Sequence, residues 1–142
     1  EYLEEEHPEP ALLPSGAADR ARVRQLALTV ACEVHPLNNL SILKYLKGEL
    51  GVDDEAKLAW YRHWVGRGFT AMETILGDGK AGRFCHGDTP GFADICLVPQ
   101  MYNARRFDCD LDPFPRLRAI DGACRELDAF AAAAPENQPD AQ

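Results

Sequence analysis

The sequence has no uninterrupted apolar run that approaches the ~20 residues needed to cross a bilayer, and no segment with the composition of a secretory signal. We therefore expect no membrane as a partner. A length of 142 residues instead suits one domain with a sizeable core.

Positive charge is scarce relative to negative charge. The 15 Lys and Arg residues face 23 Asp and Glu residues, which gives a formal net charge of -8 and a pI of about 4.9. Such a surface repels phosphate backbones, so we expect no nucleic acid partner.

Paired cysteines and metal-binding motifs are also missing. The chain has an odd number of cysteines at irregular spacing and no CxxC pair, which disfavours a disulfide framework and a zinc site. No P-loop, Gly-rich dinucleotide fingerprint or HExxH motif occurs, and residues 85–88 (CHGD) are typical of a turn. We expect reduced, mostly buried thiols in a cytoplasmic protein, and no metal.

The chain opens with EYLEEEHPEPALLP, in which residues 1–6 resemble the last turns of a helix and residues 7–10 break it. We interpret residues 1–14 as the end of a preceding domain and its linker, and residues 15–142 as a helical domain. The alternative is a frayed terminus of a complete domain.

Apolar residues recur at three- and four-residue steps in four long segments, and no segment has a convincing strand pattern. The first runs from Val23 to Leu37, with a bend at Pro36, and resumes as LSILKYLKGEL as far as Gly48 or Gly51. The others run over residues 53–76, 91–107 and 116–131. The predicted class is all-α, an antiparallel bundle of four main helices and shorter pieces.

The third segment is apolar on almost every face, which is typical of a helix in the middle of a bundle. Its one acidic residue is Asp94. With Gly91 as N-cap, Asp94 occupies the N3 position and accepts a hydrogen bond from the N-cap amide. We therefore assign Asp94 a structural role and no part in catalysis.

Two polar clusters are candidates for a site. In HPLNN (residues 35–39), His35 and Asn39 are four residues apart and can share a helix face, either to bind a ligand or to satisfy the polar groups of the bend. The second cluster ends the third segment with Arg105 and Arg106, which point about 100° apart. Each arginine can stabilise the helix C-terminus or hold a carboxylate ligand, and spacing alone leaves both open.

Four stretches carry a resemblance that covers nearly the whole chain: HPLNNLSILKYL, FCHGDTPGFADICLVPQMYNARRF, DLDPFPRL and QPDA. Together they resemble the C-terminal helical domain of zeta-class glutathione transferases, the maleylacetoacetate and maleylpyruvate isomerases. The resemblance implies a glutathione transferase C-terminal-like helical bundle. It also implies a thioredoxin-like N-terminal domain, not contained in these residues, that binds most of the glutathione and activates its thiol.

The implied reaction is a glutathione-dependent cis–trans isomerisation of a keto dicarboxylate, in which the thiolate adds to the double bond, rotation follows and elimination regenerates glutathione. By match to the family pattern, His35 and Asn39 contact glutathione and Arg106 holds a substrate carboxylate. Arg105 falls on a variable position and is expected at solvent or the helix end. No catalytic residue is expected in this chain, which should be inactive alone, whereas the full-length protein is expected to be a homodimer.

Two residues depart from the family pattern. Gly91 replaces the usual threonine of the N-capping box, and Ser41 stands where some maleylpyruvate isomerases have arginine, which favours maleylacetoacetate as substrate. Two alternatives stay open. One is other glutathione chemistry, such as conjugation or dehalogenation, and the other is a non-enzymatic helical interaction module.

Overall fold

The structure, a computed structural model, describes residues 1–141 and is built from helices and connecting loops. The helices are α1 (Tyr2–Glu6), α2 (Ala17–Leu28), a π-helical turn (Thr29–Val34), α3 (His35–Asn38), α4 (Leu40–Gly48), α5 (Asp54–Leu76), α6 (Phe92–Arg106), α7 (Pro115–Arg125), α8 (Asp128–Ala132) and a 3-10 turn (Pro135–Asn137). The described residues form no β-strand, only an isolated bridge between Ala81 and Gly87. The all-α class is confirmed.

Helix α6 lies at the centre of the bundle and packs against α2, the π-helical turn and α7. Its buried residues include Ala93, Leu97, Met101 and Ala104, in agreement with a helix that is apolar on most faces. Helix α5 packs against the other side of the π-helical turn and against α3 and α7. No helix within residues 1–141 has the length and apolar character that a bilayer-spanning segment requires.

Helix boundaries follow the predictions where a capping residue fixes them. Asp53 accepts a hydrogen bond from the Ala56 amide at 2.8 Å and begins α5. Gly91 is the N-cap of α6, and Asp94 Oδ2 accepts the Gly91 amide at 2.8 Å. The second oxygen of Asp94 accepts the Cys85 amide at 2.9 Å, so both oxygens of this buried carboxylate hold backbone. The structural role of Asp94 is confirmed.

Two boundaries differ from the prediction. The first segment contains a π-helical turn over Thr29–Val34 that was not predicted. Leu28 and His35 at its two ends have helical backbone, so the turn joins α2 to α3, and the chain leaves the helical conformation only at Asn39 (φ -70°, ψ 163°). The fourth segment is not continuous either, since Leu127 is extended (φ -85°, ψ 133°) and separates α7 from α8. Apolar periodicity continues through the π-helical turn and past Leu127 because the pieces on either side pack onto the same core.

Candidate functional site

Helix α5 brings the two polar clusters to the same level of the bundle. The indole Nε1 of Trp60 donates to the carbonyl oxygen of Leu37 at 2.7 Å, inside HPLNN. The next residue, Tyr61, stacks on Phe107 at the end of α6, with ring centroids 4.0 Å apart and an interplanar angle of 22°. Consecutive residues of one helix therefore contact both clusters, about 100° apart around its axis.

Arg106 ends α6 as an exposed side chain. Within residues 1–141 its guanidinium has no ion-pair or hydrogen-bond partner. The charge of Arg106 acts on the pKa of Tyr61. Burial raises the pKa of this phenol to about 12, and the positive charge of Arg106 opposes the rise. An exposed arginine with no partner among residues 1–141 is available to an anion from outside the chain.

Arg105 contradicts the expectation that it serves solvent or the helix end. Its Nη1 lies 2.6 Å from Oδ2 of Asp121 on α7, and the Asp121 side chain is only 4% exposed. Arg125 reaches the same oxygen only at 3.9 Å. The expectation was wrong because a buried carboxylate on α7 requires a counter-charge, and Arg105 is the cation that supplies it.

His35 begins α3 and is exposed, with no hydrogen-bond partner for its ring among the described residues. The chain is already helical at this point, since the His35 amide donates to the Val30 carbonyl, so Pro36 at the next position leaves one helical hydrogen bond unmade. The imidazole thus has its full capacity to donate and accept hydrogen bonds with a ligand.

Asn39 lies just beyond α3, with an extended backbone (φ -70°, ψ 163°), and forms the N-cap of α4. His35 and Asn39 therefore do not share the face of one continuous helix, contrary to the spacing argument. The Asn39 Oδ1 accepts the amides of Ser41 at 2.9 Å and Ile42 at 3.2 Å, while Nδ2 donates to the Pro36 carbonyl at 2.9 Å. One N–H of the side-chain amide remains for a ligand.

Cavities lie elsewhere in the bundle. One of about 220 Å³ lies between the linker and the start of α6, at the end opposite Arg106. Another of about 160 Å³ lies between the π-helical turn and α5. Neither is lined by His35, Asn39 or Arg106.

Sequence reasoning missed an ion pair between a buried arginine and an exposed aspartate. Arg22 on α2 is 7% exposed and donates to both carboxylate oxygens of Asp78, at 2.6 and 3.0 Å, and to the Cys85 carbonyl at 2.7 Å. The Arg22 guanidinium and the Lys80 amide lower the pKa of Asp78 to about 2. The sequence does hold a signal for the burial of Arg22, because this residue precedes the core residue Leu26 by one helical turn and so lies on the same face of α2.

Metal-binding clusters are absent from the part of the chain that the structure describes. Cys85 and His86 belong to the loop between α5 and α6, as the sequence predicts for this turn. Burial raises the pKa of the Cys85 thiol, and the nearby Asp94 carboxylate raises it further. All five cysteines are free thiols, but only Cys85 and Cys124 are buried, and Cys32 is exposed.

Comparison with known proteins found close relatives. The chain is 52% identical over 141 residues to a probable maleylacetoacetate isomerase of Vibrio cholerae, and 54% identical over 141 residues to a maleylpyruvate isomerase of a Ralstonia species. These matches cover 99% of the chain but only 65% and 66% of the two relatives, so the chain spans about two thirds of their length. No protein-family model matches the chain.

Solved structures match equally well. The holo structure of a maleylpyruvate isomerase, described as a bacterial glutathione S-transferase of the zeta class, superposes with a TM-score of 0.97 at 53% identity. It matches 99% of this chain and 67% of its own. A maleylacetoacetate isomerase from Anaeromyxobacter dehalogenans, with dicarboxyethyl glutathione and citrate in its active site, gives a TM-score of 0.94 at 50% identity, over 99% of this chain and 62% of its own.

Proposed function

The chain belongs to the zeta-class glutathione transferases, the family of maleylacetoacetate and maleylpyruvate isomerases, and from this membership we propose that it is the substrate-side helical part of a glutathione-dependent cis–trans isomerase. The substrate class is a keto dicarboxylate with a cis double bond. The complete enzyme requires more chain than these residues, since the relatives are about one half longer than the stretch they share with it.

Residues 15–142 are, in this proposal, the C-terminal helical domain of the enzyme, and residues 1–14 are the end of a thioredoxin-like domain and the linker. Residue 142 lies outside the described residues. The short helix α1 and the loop over residues 7–16 agree with this division, because α1 is separated from the bundle by a stretch without helix. The upstream domain would carry the groups that activate the glutathione thiol.

The observation that carries the proposal is the state of Arg106. Of the two adjacent arginines, Arg105 is neutralised by the buried Asp121, whereas Arg106 is exposed and has no partner within residues 1–141. A keto dicarboxylate presents a planar carboxylate, which a guanidinium binds with two parallel hydrogen bonds. We assign Arg106 the role of holding that carboxylate. The citrate bound in the Anaeromyxobacter enzyme is consistent with such a carboxylate site.

Glutathione fits the polar groups of the other cluster. The His35 ring is free and one N–H of Asn39 remains unused, so both can bind the peptide carbonyls and carboxylates of glutathione from the helical side. When bound, glutathione supplies the thiolate that adds reversibly to the substrate double bond. His35 and Asn39 hold and orient it, while Arg106 orients the substrate, and the chain itself contributes no catalytic residue.

The compartment and assembly follow from the same proposal. Five free thiols favour the reducing cytoplasm. The full-length protein would be a homodimer.

Ser41 offers no second cation at its position, which favours maleylacetoacetate over maleylpyruvate as substrate.

The decisive experiment compares three proteins with glutathione and each maleyl keto acid: the protein with its native upstream sequence, the 142-residue chain, and the full-length Arg106→Ala variant. We expect turnover only with the upstream sequence present, and a KM raised at least roughly tenfold in the variant, since one charge-assisted contact is lost. Arg118→Ala, which removes an exposed arginine of α7, is the matched control and should leave KM unchanged.

The alternatives predict other results. A panel of electrophiles that is conjugated or dehalogenated, with no isomerisation, would favour other glutathione chemistry. Unchanged catalysis in Arg106→Ala would contradict the proposed role of this residue. A full-length protein that turns over neither the maleyl keto acids nor any electrophile of the panel would favour a non-enzymatic interaction module. Turnover by the 142-residue chain alone would contradict the division of labour between the two domains.

A further inference from the structure

The carboxylate of Glu4 clamps the linker that follows α1. Its Oε2 accepts the Leu12 amide at 2.7 Å and its Oε1 accepts the Leu13 amide at 3.2 Å. Glu4 is half-buried, whereas its neighbour Glu5 is exposed and has no side-chain hydrogen bond within residues 1–141. One side chain of α1 thus fixes two consecutive peptide groups that lie eight and nine residues further on.

The same linker peptide is bound to α6. The carbonyl oxygen of Leu12 accepts the Phe92 amide at 2.9 Å, which satisfies one of the orphan amides at the N-terminus of α6. A Cβ on Gly91 would lie 2.8 Å from this Leu12 oxygen, so a side chain at that position would require the linker to shift. Leu13 adds burial, because only 5% of its surface is exposed.

A second attachment joins α1 to α2. Arg24 donates through Nη2 to Oε2 of Glu1 at 3.0 Å, and its Nε contacts the other carboxylate oxygen. This pair is exposed on both sides, so it contributes little to stability. The clamp at Glu4 is therefore the main connection between α1 and the bundle.

We propose that Glu4 is a positioning residue that fixes α1 to α6 through the Leu12 peptide, and thereby fixes the upstream domain relative to Arg106. The inference rests on the proposed function in so far as it assigns α1 to that domain. Helix α6 begins at the clamp and ends at Arg106, so its 15 residues separate the two by roughly 22 Å. The clamp then sets where the thiol half of the enzyme lies relative to the carboxylate-binding half.

The clamp can be tested without activity. In the 142-residue chain, amide hydrogen exchange at Leu12 and Leu13 is expected to accelerate at least roughly tenfold in Glu4→Ala. Residual dipolar couplings of α1 should agree with the alignment of the bundle in the unsubstituted chain and become averaged in Glu4→Ala. Glu5→Ala is the matched control and should change neither measurement.

Two further variants distinguish release of the clamp from unfolding of the bundle. Glu4→Gln keeps one carbonyl oxygen, so it should restore protection at one of the two amides. Gly91→Ala should weaken the Leu12–Phe92 contact from the other side and release α1 while the amides of α7 stay protected. Exchange and dipolar couplings that are the same in Glu4→Ala, Gly91→Ala and the unsubstituted chain would overturn the proposal.

In the full-length protein, Glu4→Ala should lower kcat/KM with the thermal midpoint of the bundle unchanged, and Glu4→Gln should rescue part of the loss. A merely structural carboxylate would move the midpoint and the rate together. Hydrogen exchange and dipolar couplings in the 142-residue chain test the clamp without any activity. A full-length protein without isomerase activity would therefore overturn only the proposed function.

Discussion

The Cγ2 methyl of Val34 lies against the backbone of Gly68, so closely that a Cβ on Gly68 would be 2.1 Å from it. Val34 ends the π-helical turn and Gly68 is in the middle of α5, and both are buried. This contact lets α5 pack directly on the turn that precedes HPLNN. The position of the His35 and Asn39 cluster therefore depends on a residue with no side chain.

We expect Gly68→Ala to destabilise the chain by about 1–3 kcal/mol, because the added methyl overpacks this contact. Gly66→Ala is the matched control. Nothing lies within 4 Å of a Cβ at Gly66, so the same substitution in the same helix should stabilise by roughly 0.5–1 kcal/mol. Urea denaturation of both variants measures the difference, and equal effects would contradict the close packing.

Substitution of the two adjacent arginines should affect stability differently, because only Arg105 pairs with a buried carboxylate. Arg105→Ala leaves the buried Asp121 without its close cation, and we expect a loss of roughly 1–3 kcal/mol in the free energy of unfolding. Arg106→Ala should change it by less than about 0.5 kcal/mol. Adding Asp121→Asn to Arg105→Ala should recover part of the loss. Equal melting temperatures of the two single variants would contradict the assignment.

Asp54 and Asp78 both have a carboxyl pKa lowered to about 2, but for reasons that respond differently to salt. Hydrogen bonds from Lys47 and Lys57 lower that of Asp54, an exposed group, whereas the Asp78 carboxylate is bound by the buried Arg22. In 1 M NaCl we expect the pKa of Asp54 to return closer to 3.8 than that of Asp78, since exposed pairs are screened more.

Both folded-state pKa values lie below the unfolded values, which fixes the direction of the pH dependence. The contribution of each carboxylate to stability is complete above about pH 4 and is lost as the pH falls through about 2. Carboxyl chemical shifts followed by NMR between pH 1.5 and 6, in steps of roughly half a pH unit, would measure both pKa values. A pKa of Asp78 that rises with salt as far as that of Asp54 would show that the burial of Arg22 does not protect its hydrogen bonds to Asp78 from screening.

The five thiols should react in an order set by exposure. Cys32 is exposed and should be modified first by a disulfide reagent at pH 8. Burial raises the pKa of Cys109 to about 11 and that of Cys124 to about 12, and it also raises that of Cys85, so Cys85 and Cys124 should react only on unfolding. Mass spectrometry of timed samples gives the order, and Cys32→Ser should remove the fast phase alone.

Much of the fold could be predicted from the sequence because its capping signals are local. Helices α5 and α6 begin within one residue of the predicted positions, since Asp53 and the Gly91–Asp94 pair each satisfy orphan amides of the helix that they start. The π-helical turn could not be predicted, because its close contact with the rest of the bundle joins residues that are 34 positions apart in sequence, Val34 and Gly68.

The candidate site was predictable only in part for the same reason. Spacing shows that two adjacent arginines point in different directions, but the residue that decides their environments is Asp121, which lies on α7. The shared helix face predicted for His35 and Asn39 was wrong because the Asn39 side chain caps α4, and that cap exists only once the chain breaks between α3 and α4. Local signals predict elements, whereas the partners of polar side chains depend on tertiary structure.

Asp108 follows the C-terminus of α6 with a positive φ of 51°, a conformation that favours glycine. The next amide, that of Cys109, donates to the Ala104 carbonyl at 2.9 Å and closes the end of the helix that carries Arg106. We expect Asp108→Gly to stabilise the chain by about 0.5–1 kcal/mol, because it removes the strain of the left-handed backbone.

A negative charge at a helix C-terminus is itself unfavourable, so Asp108→Asn serves as the control. It removes the charge but keeps a side chain that tolerates this backbone, and it should account for only part of the gain. The difference between the two variants in thermal unfolding then reports the conformational strain alone. If Asp108→Gly is no more stable than Asp108→Asn, the backbone at this position is unstrained and the end of α6 is held by the Ala104–Cys109 hydrogen bond without cost.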